Sequence, residues 1–79
     1  MTRLSESERR LLQEIIARRI PHAVTLVERV GLHPLTIQER ETLREALAGE
    51  FIDTGLAADD EPNERGREID QLIGRLGRF

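Results

Sequence analysis

Residues 5–31 read SESERRLLQEIIARRIPHAVTLVERVG, and their reading decides the fold. Ser5 followed by Glu8 has the capping-box spacing: the hydroxyl accepts from the amide three residues on, and the carboxylate reaches back to the amide of the cap. Leu11, Leu12, Ile15 and Ile16 then recur at helical spacing among Arg, Gln and Glu. Pro21 interrupts this pattern, because it has no amide to donate and disfavours helical geometry at Ile20. Beyond it, Ile20, Ala23, Val27 and Val30 continue at spacings of three and four. Projected at about 100° per residue, this second stripe is rotated by roughly 80° from the first. A continuous helix over the whole stretch would be about 39 Å long, more than the rest of so short a chain could cover. The spacing therefore predicts a kinked or broken pair of helices, 5–19 and 21–30, closed by Gly31 as the C-terminal cap.

The same start signal recurs at Thr36 and Glu39. The segments 4–17 (LSESERRLLQEIIA) and 35–48 (LTIQERETLREALA) share a leucine, a hydroxyl residue, Glu-Arg, Leu, Glu and Ala at an offset of 31, which supports both helix starts. Ile37, Leu43, Leu47 and Phe51 form the stripe of a helix over 36–54, with Gly55 as its cap and Gly49 pointing away from the stripe. A last helix is expected over 62–77. Pro62 suits its first turn, since the missing amide would be unpaired there anyway. Ile69, Leu72, Ile73, Leu76 and Phe79 lie on a single face. Apolar and polar residues never alternate long enough for a strand. The expectation is one all-α domain over 1–79, a small bundle of three to four helices with a kink or break at Pro21.

Composition bounds the function. A chain of 79 residues buries only about 60% of its unfolded surface and is stable by about 4–12 kcal/mol, which leaves little room for an enclosed active site. It has no cysteine, which excludes disulfides and thiolate metal sites. No apolar run is long enough for a signal peptide or a membrane span, so the chain reads as soluble and cytoplasmic, with no membrane partner. All twelve basic residues are arginine, and the net charge is −3. Residues 1–34 hold six Arg against four Glu, for +2, and residues 35–79 hold six Arg against eleven acids, for −5.

The most unusual stretch is AADDEPNERG at 57–66. Counted from Asp53, DTGLAADDEPNE has the end residues of a calcium loop. Its third and fifth positions, Gly55 and Ala57, have no side-chain oxygen, and the sixth is Ala58 where a glycine is needed. No metal is expected to bind there. Asp59, Asp60, Glu61 and Glu64 instead surround a helix start, where the positive end of the dipole favours acids. His22 and His33 each lie beside a proline, with no acid at ligand spacing. Serines and threonines mostly fall at helix starts or ends, where capping accounts for them, and no phosphate loop exists. No catalytic residue and no cofactor is expected.

Arg9, Arg10, Arg18 and Arg19 would carry a nucleic-acid alternative, in which the first helix is the binding element. Glu6, Glu8 and Glu14 dilute them, and neither Trp nor Tyr is present to stack on bases. The reading favoured by the sequence is a non-catalytic protein–protein interaction module: an inhibitor, adaptor or accessory subunit binding another protein or itself. Because the apolar stripe swings across Pro21, some of Ile16, Ile20, Val24 and Val27 are expected to stay exposed and to form an interface, with a homodimer as the simplest outcome; the alternative is that the broken helix folds back and buries both stripes internally. Asp59, Asp60 and Glu61 are the candidates for contact with a basic partner.

Overall fold

A computed structural model describes residues 4–77. Four α-helices follow one another: α1 over Glu6–Arg19, α2 over Val24–Arg29, α3 over Ile37–Thr54 and α4 over Glu64–Leu76. A short 3-10 turn over Pro21–Ala23 joins the first two, and no strand occurs among the described residues. The protein is a small all-α bundle.

Both capping boxes form. Glu8 N donates to Ser5 Oγ at 3.1 Å and Ser5 N to Glu8 Oε1 at 2.8 Å. Glu39 N donates to Thr36 Oγ1 at 3.0 Å and Thr36 N to Glu39 Oε1 at 2.9 Å. Each cap stabilises its helix by about 1 kcal/mol.

At Pro21 the helix is broken rather than bent. Ile20 N still donates to Ile16 O, but Ile20 itself leaves helical geometry at φ −138°, ψ 71°. The 3-10 turn then turns the chain back, so that α2 lies against α1. Gly31, at φ 88°, takes the left-handed position after α2, where the amides of Leu32 and His33 both reach Arg29 O.

This return resolves the two apolar stripes. Leu11, Leu12, Ile15 and Ile16 of α1 and Ala23, Val27 and Val30 of the returning segment enter one core with Leu35, Leu43, Ala46, Leu47, Ile69, Leu72 and Leu76. Ile16 and Val27, expected at an exposed interface, are 0% and 2% exposed. A break turns both stripes inward, whereas a continuous helix would have left one outside. Ile20 and Val24 are only half-buried at the edge of this core.

Two other expectations are corrected. The last helix begins after Asn63, not at Pro62: the Asn63 side chain accepts from Gly66 N at 2.8 Å, and Asn is the stronger cap. Ile37 falls off the stripe of α3, being 79% exposed at the first turn, whereas Glu50 joins Leu43 and Leu47 as a buried residue and Phe51 packs half-buried against the core. Gly49 lies off the buried stripe, and the Arg19 guanidinium covers it, 3.0 Å from the place a Cβ would take. Phe79, assigned to the α4 stripe, lies outside the described residues.

Candidate functional site

The strongest concentration of charge surrounds Glu50, which is 2% exposed. Its Oε1 accepts from Arg19 Nε at 2.9 Å. Its Oε2 accepts from Arg18 Nη2 at 2.6 Å, Thr54 Oγ1 at 2.8 Å and Arg65 Nη2 at 3.3 Å. Arg19 also donates to Asp53, and Arg65 Nη2 to Glu14 Oε1 at 3.2 Å. One carboxylate thus ties α1, α3 and α4 together. Burial alone would raise the Glu50 pKa, but the bonds from Arg19, Thr54 and Arg65 and the charge of Arg18 outweigh it and hold the group below the usual glutamate range. A carboxylate that is buried, ionised and saturated with donors can neither reach a substrate nor take a proton at neutral pH. Its chemistry is structural.

Sequence reasoning missed this hub. The available signal was spacing: Glu50 lies seven residues after Leu43 and three after Leu47, on the apolar face of α3. An acid there needs buried cations, and the Arg18–Arg19 pair is the obvious source.

Of the four arginines of α1, Arg9, Arg18 and Arg19 donate to other elements of the bundle, and Arg10 stays at the surface. Arg10 pairs with Glu6 at 2.9 Å along the helix surface. Arg9 crosses to the end of α2, where its guanidinium donates to Val27 O at 3.4 Å and Val30 O at 3.2 Å. Val27 O also accepts from Val30 N at 3.2 Å, so Arg9 adds a second donor at the last turn of α2.

Asp59, Asp60 and Glu61 are exposed, as expected of contact candidates, but they are not gathered at a helix start. They form a tight reverse turn. Ala57 N donates to Glu61 O at 2.8 Å, Asp60 N to Ala57 O at 3.0 Å and Glu61 N to Asp59 Oδ1 at 3.2 Å, with Asp60 at φ 64°. Only Glu64 occupies the first turn of α4. Asp53, first residue of the calcium-loop spacing, is turned toward Arg19 instead. Both histidines are exposed. No group of three His, Asp or Glu among the described residues is placed to hold a metal ion.

One part of the surface is apolar and poor in charge. Because α2 packs chiefly on α1 and touches α3 little, a shallow groove runs between them. Ala23 and Leu26 form its floor, with His22 on one rim and Thr36, Gln38, Glu39 and Thr42 on the other. Glu39 is held below the usual glutamate range, mainly by the backbone N–H of Thr36, with burial opposing and the Thr36 hydroxyl and Arg29 adding to the effect. Ile20 and Val24 lie at the same break in the chain; Leu32, in the connection that follows, is 70% exposed, and Ile37, the first residue of α3, 79%.

No described helix is long and apolar enough to cross a membrane. Comparison of the chain with protein-family models, with curated proteins and with solved structures finds no match.

Proposed function

We propose that this protein is a non-catalytic helical interaction module that acts by binding another protein or a second copy of itself. The observation that carries this reading is the groove between α2 and α3. On a chain in which 34% of residues are charged, its floor is apolar and its rim mostly neutral. Charge depletion of this kind marks the centre of an interface rather than an ordinary solvated face. Ile20 and Val24 extend the apolar area beside it, and the acidic turn at Asp59, Asp60 and Glu61 offers a separate charged contact for a basic partner. Ile16 and Val27 take no part, since both are core.

The nucleic-acid alternative loses support, because Arg9, Arg18 and Arg19 donate into the bundle, and Arg10, at the surface, has Glu6 2.9 Å away. No constellation of the described residues favours catalysis.

The test is a pull-down from the native host, read against Leu26→Glu and Thr42→Glu, together with sedimentation at tens of micromolar. A partner or dimer lost in both variants, with helicity unchanged, supports the reading. A monomer that captures no protein specifically, or captures the same ones in both variants, overturns it.

A further inference from the structure

Residues 20–30 are fastened to the bundle chiefly through α1. Ala23, Val27 and Val30 are buried in the cluster that holds Leu11, Leu12, Ile15 and Ile16 of α1, and the segment makes little contact with α3 or α4. Its helix, α2, has six residues and no side-chain cap at its start. A helix that short has no stability of its own in water. Its far end is held by Arg9, whose guanidinium donates to the carbonyls of Val27 and Val30. Arg29 adds one long, half-exposed ion pair to Glu39 at 3.4 Å. The near end starts from a fixed point, because Arg18 and Arg19, directly before the break, are both bound to Glu50. By contrast, α3 and α4 lie against each other over much of their length.

We propose that residues 20–30 form a hinged arm, closed over α1 by Ala23, Val27 and Val30 and latched by Arg9, which opens as a unit while α1, α3 and α4 stay folded. Elements with few buried contacts open at lower free energy than the whole domain, and Ile20–Pro21 is the natural pivot. Closed, the arm is an autoinhibitory contact: it covers the apolar face of α1 with a segment of the same chain. Open, it uncovers that face and widens the groove between α2 and α3. Control of the interaction surface is a consequence that rests on the reading above, whereas the opening itself does not.

Hydrogen exchange of the full chain at neutral pH, wild type and Arg9→Met, tests the arm with no partner present. Methionine keeps an apolar stem and removes the guanidinium. Amides between Leu26 and Val30 are expected to exchange at least about tenfold faster than those of Leu43–Leu47 and Ile69–Leu72. Arg9→Met is expected to speed the arm several-fold further and leave α3 and α4 at their wild-type rates. Val27→Ala, which weakens the seat rather than the latch, should give the same pattern. Exchange of all helices in one step, or equal acceleration everywhere in both variants, overturns the proposal. The pull-down alone decides whether a partner exists, so the two readings fail separately.

Discussion

The carbonyl oxygen of Gly55 lies 2.1 Å from where a Cβ on Gly66 would stand, and the Gly55 carbonyl carbon lies 3.0 Å from it. The end of α3 and the first turn of α4 therefore meet backbone to backbone. Asn63 N donates to the same Gly55 oxygen at 2.9 Å, so this carbonyl cannot move aside without losing a bond. Gly66→Ala is expected to destabilise the protein by about 3 kcal/mol or more, since the clash is with backbone rather than with a side chain that can swing away. Gly74→Ala is the control. Among the described residues, nothing outside its own stretch of helix lies within 4 Å of its Cβ position, and removing a helical glycine should stabilise by about 0.5–1 kcal/mol. Urea unfolding of the two variants checks both signs.

Glu50 gives the second prediction. Glu50→Gln keeps the shape but replaces the charge that Arg18, Arg19 and Arg65 share, and forces an amide N–H toward one of them. A loss of about 2–3 kcal/mol is expected, the scale of a hydrogen bond to a charged group. Part of the loss is recovered because the three arginines are partly exposed and rehydrate. Asp53→Asn, at a carboxylate 63% exposed, should cost less than about 1 kcal/mol.

The pH dependence follows from the same groups. Glu50 and Glu39 both have folded pKa values below the ordinary glutamate value of 4.5. A depressed carboxyl contributes its stability above the unfolded value, and that contribution is lost as the pH falls through the folded one. Unfolding free energy should therefore be level near neutrality and decline once the pH drops below about 4.5. The decline should be shallower in Glu50→Gln, which has lost one of the two groups. Denaturant titrations across that range measure the slope, and an unchanged slope in the variant would place the acid sensitivity elsewhere.

The architecture was largely legible because it rests on local signals. Ser5–Glu8 and Thr36–Glu39 are capping boxes by spacing alone, and Pro21 breaks a helix by its own chemistry. The direction the chain takes after Ile20 was not legible. It depends on whether Val27 and Val30 gain more by folding onto α1 than by meeting another molecule, which is a property of the tertiary fold. For the same reason Ile16 and Val27 read as surplus surface and proved to be core. Glu50 stayed hidden because its partners are 31, 32 and 15 residues away in sequence, on other helices. The groove was invisible altogether, being made by the gap between α2 and α3 rather than by any motif.

Asn63 supports the last prediction, because it performs two tasks where the sequence suggested Pro62 would start the helix. Its side-chain oxygen accepts from Gly66 N at 2.8 Å, and its amide donates to Thr54 O at 3.0 Å, near the end of α3. One side chain therefore caps α4 and bridges to the helix before it. Asn63→Ala loses both bonds and should cost about 2 kcal/mol, the upper end for a cap. Asn63→Asp keeps the cap and places a negative charge at the helix start, which is favourable there, but it turns an acceptor toward the Thr54 carbonyl. Its cost should fall between that of Asn63→Ala and zero. Pro62→Ala, outside the cap, should change stability by less than about 0.5 kcal/mol. Thermal unfolding of the three variants orders them, and a Pro62→Ala loss equal to that of Asn63→Ala would return the helix start to Pro62.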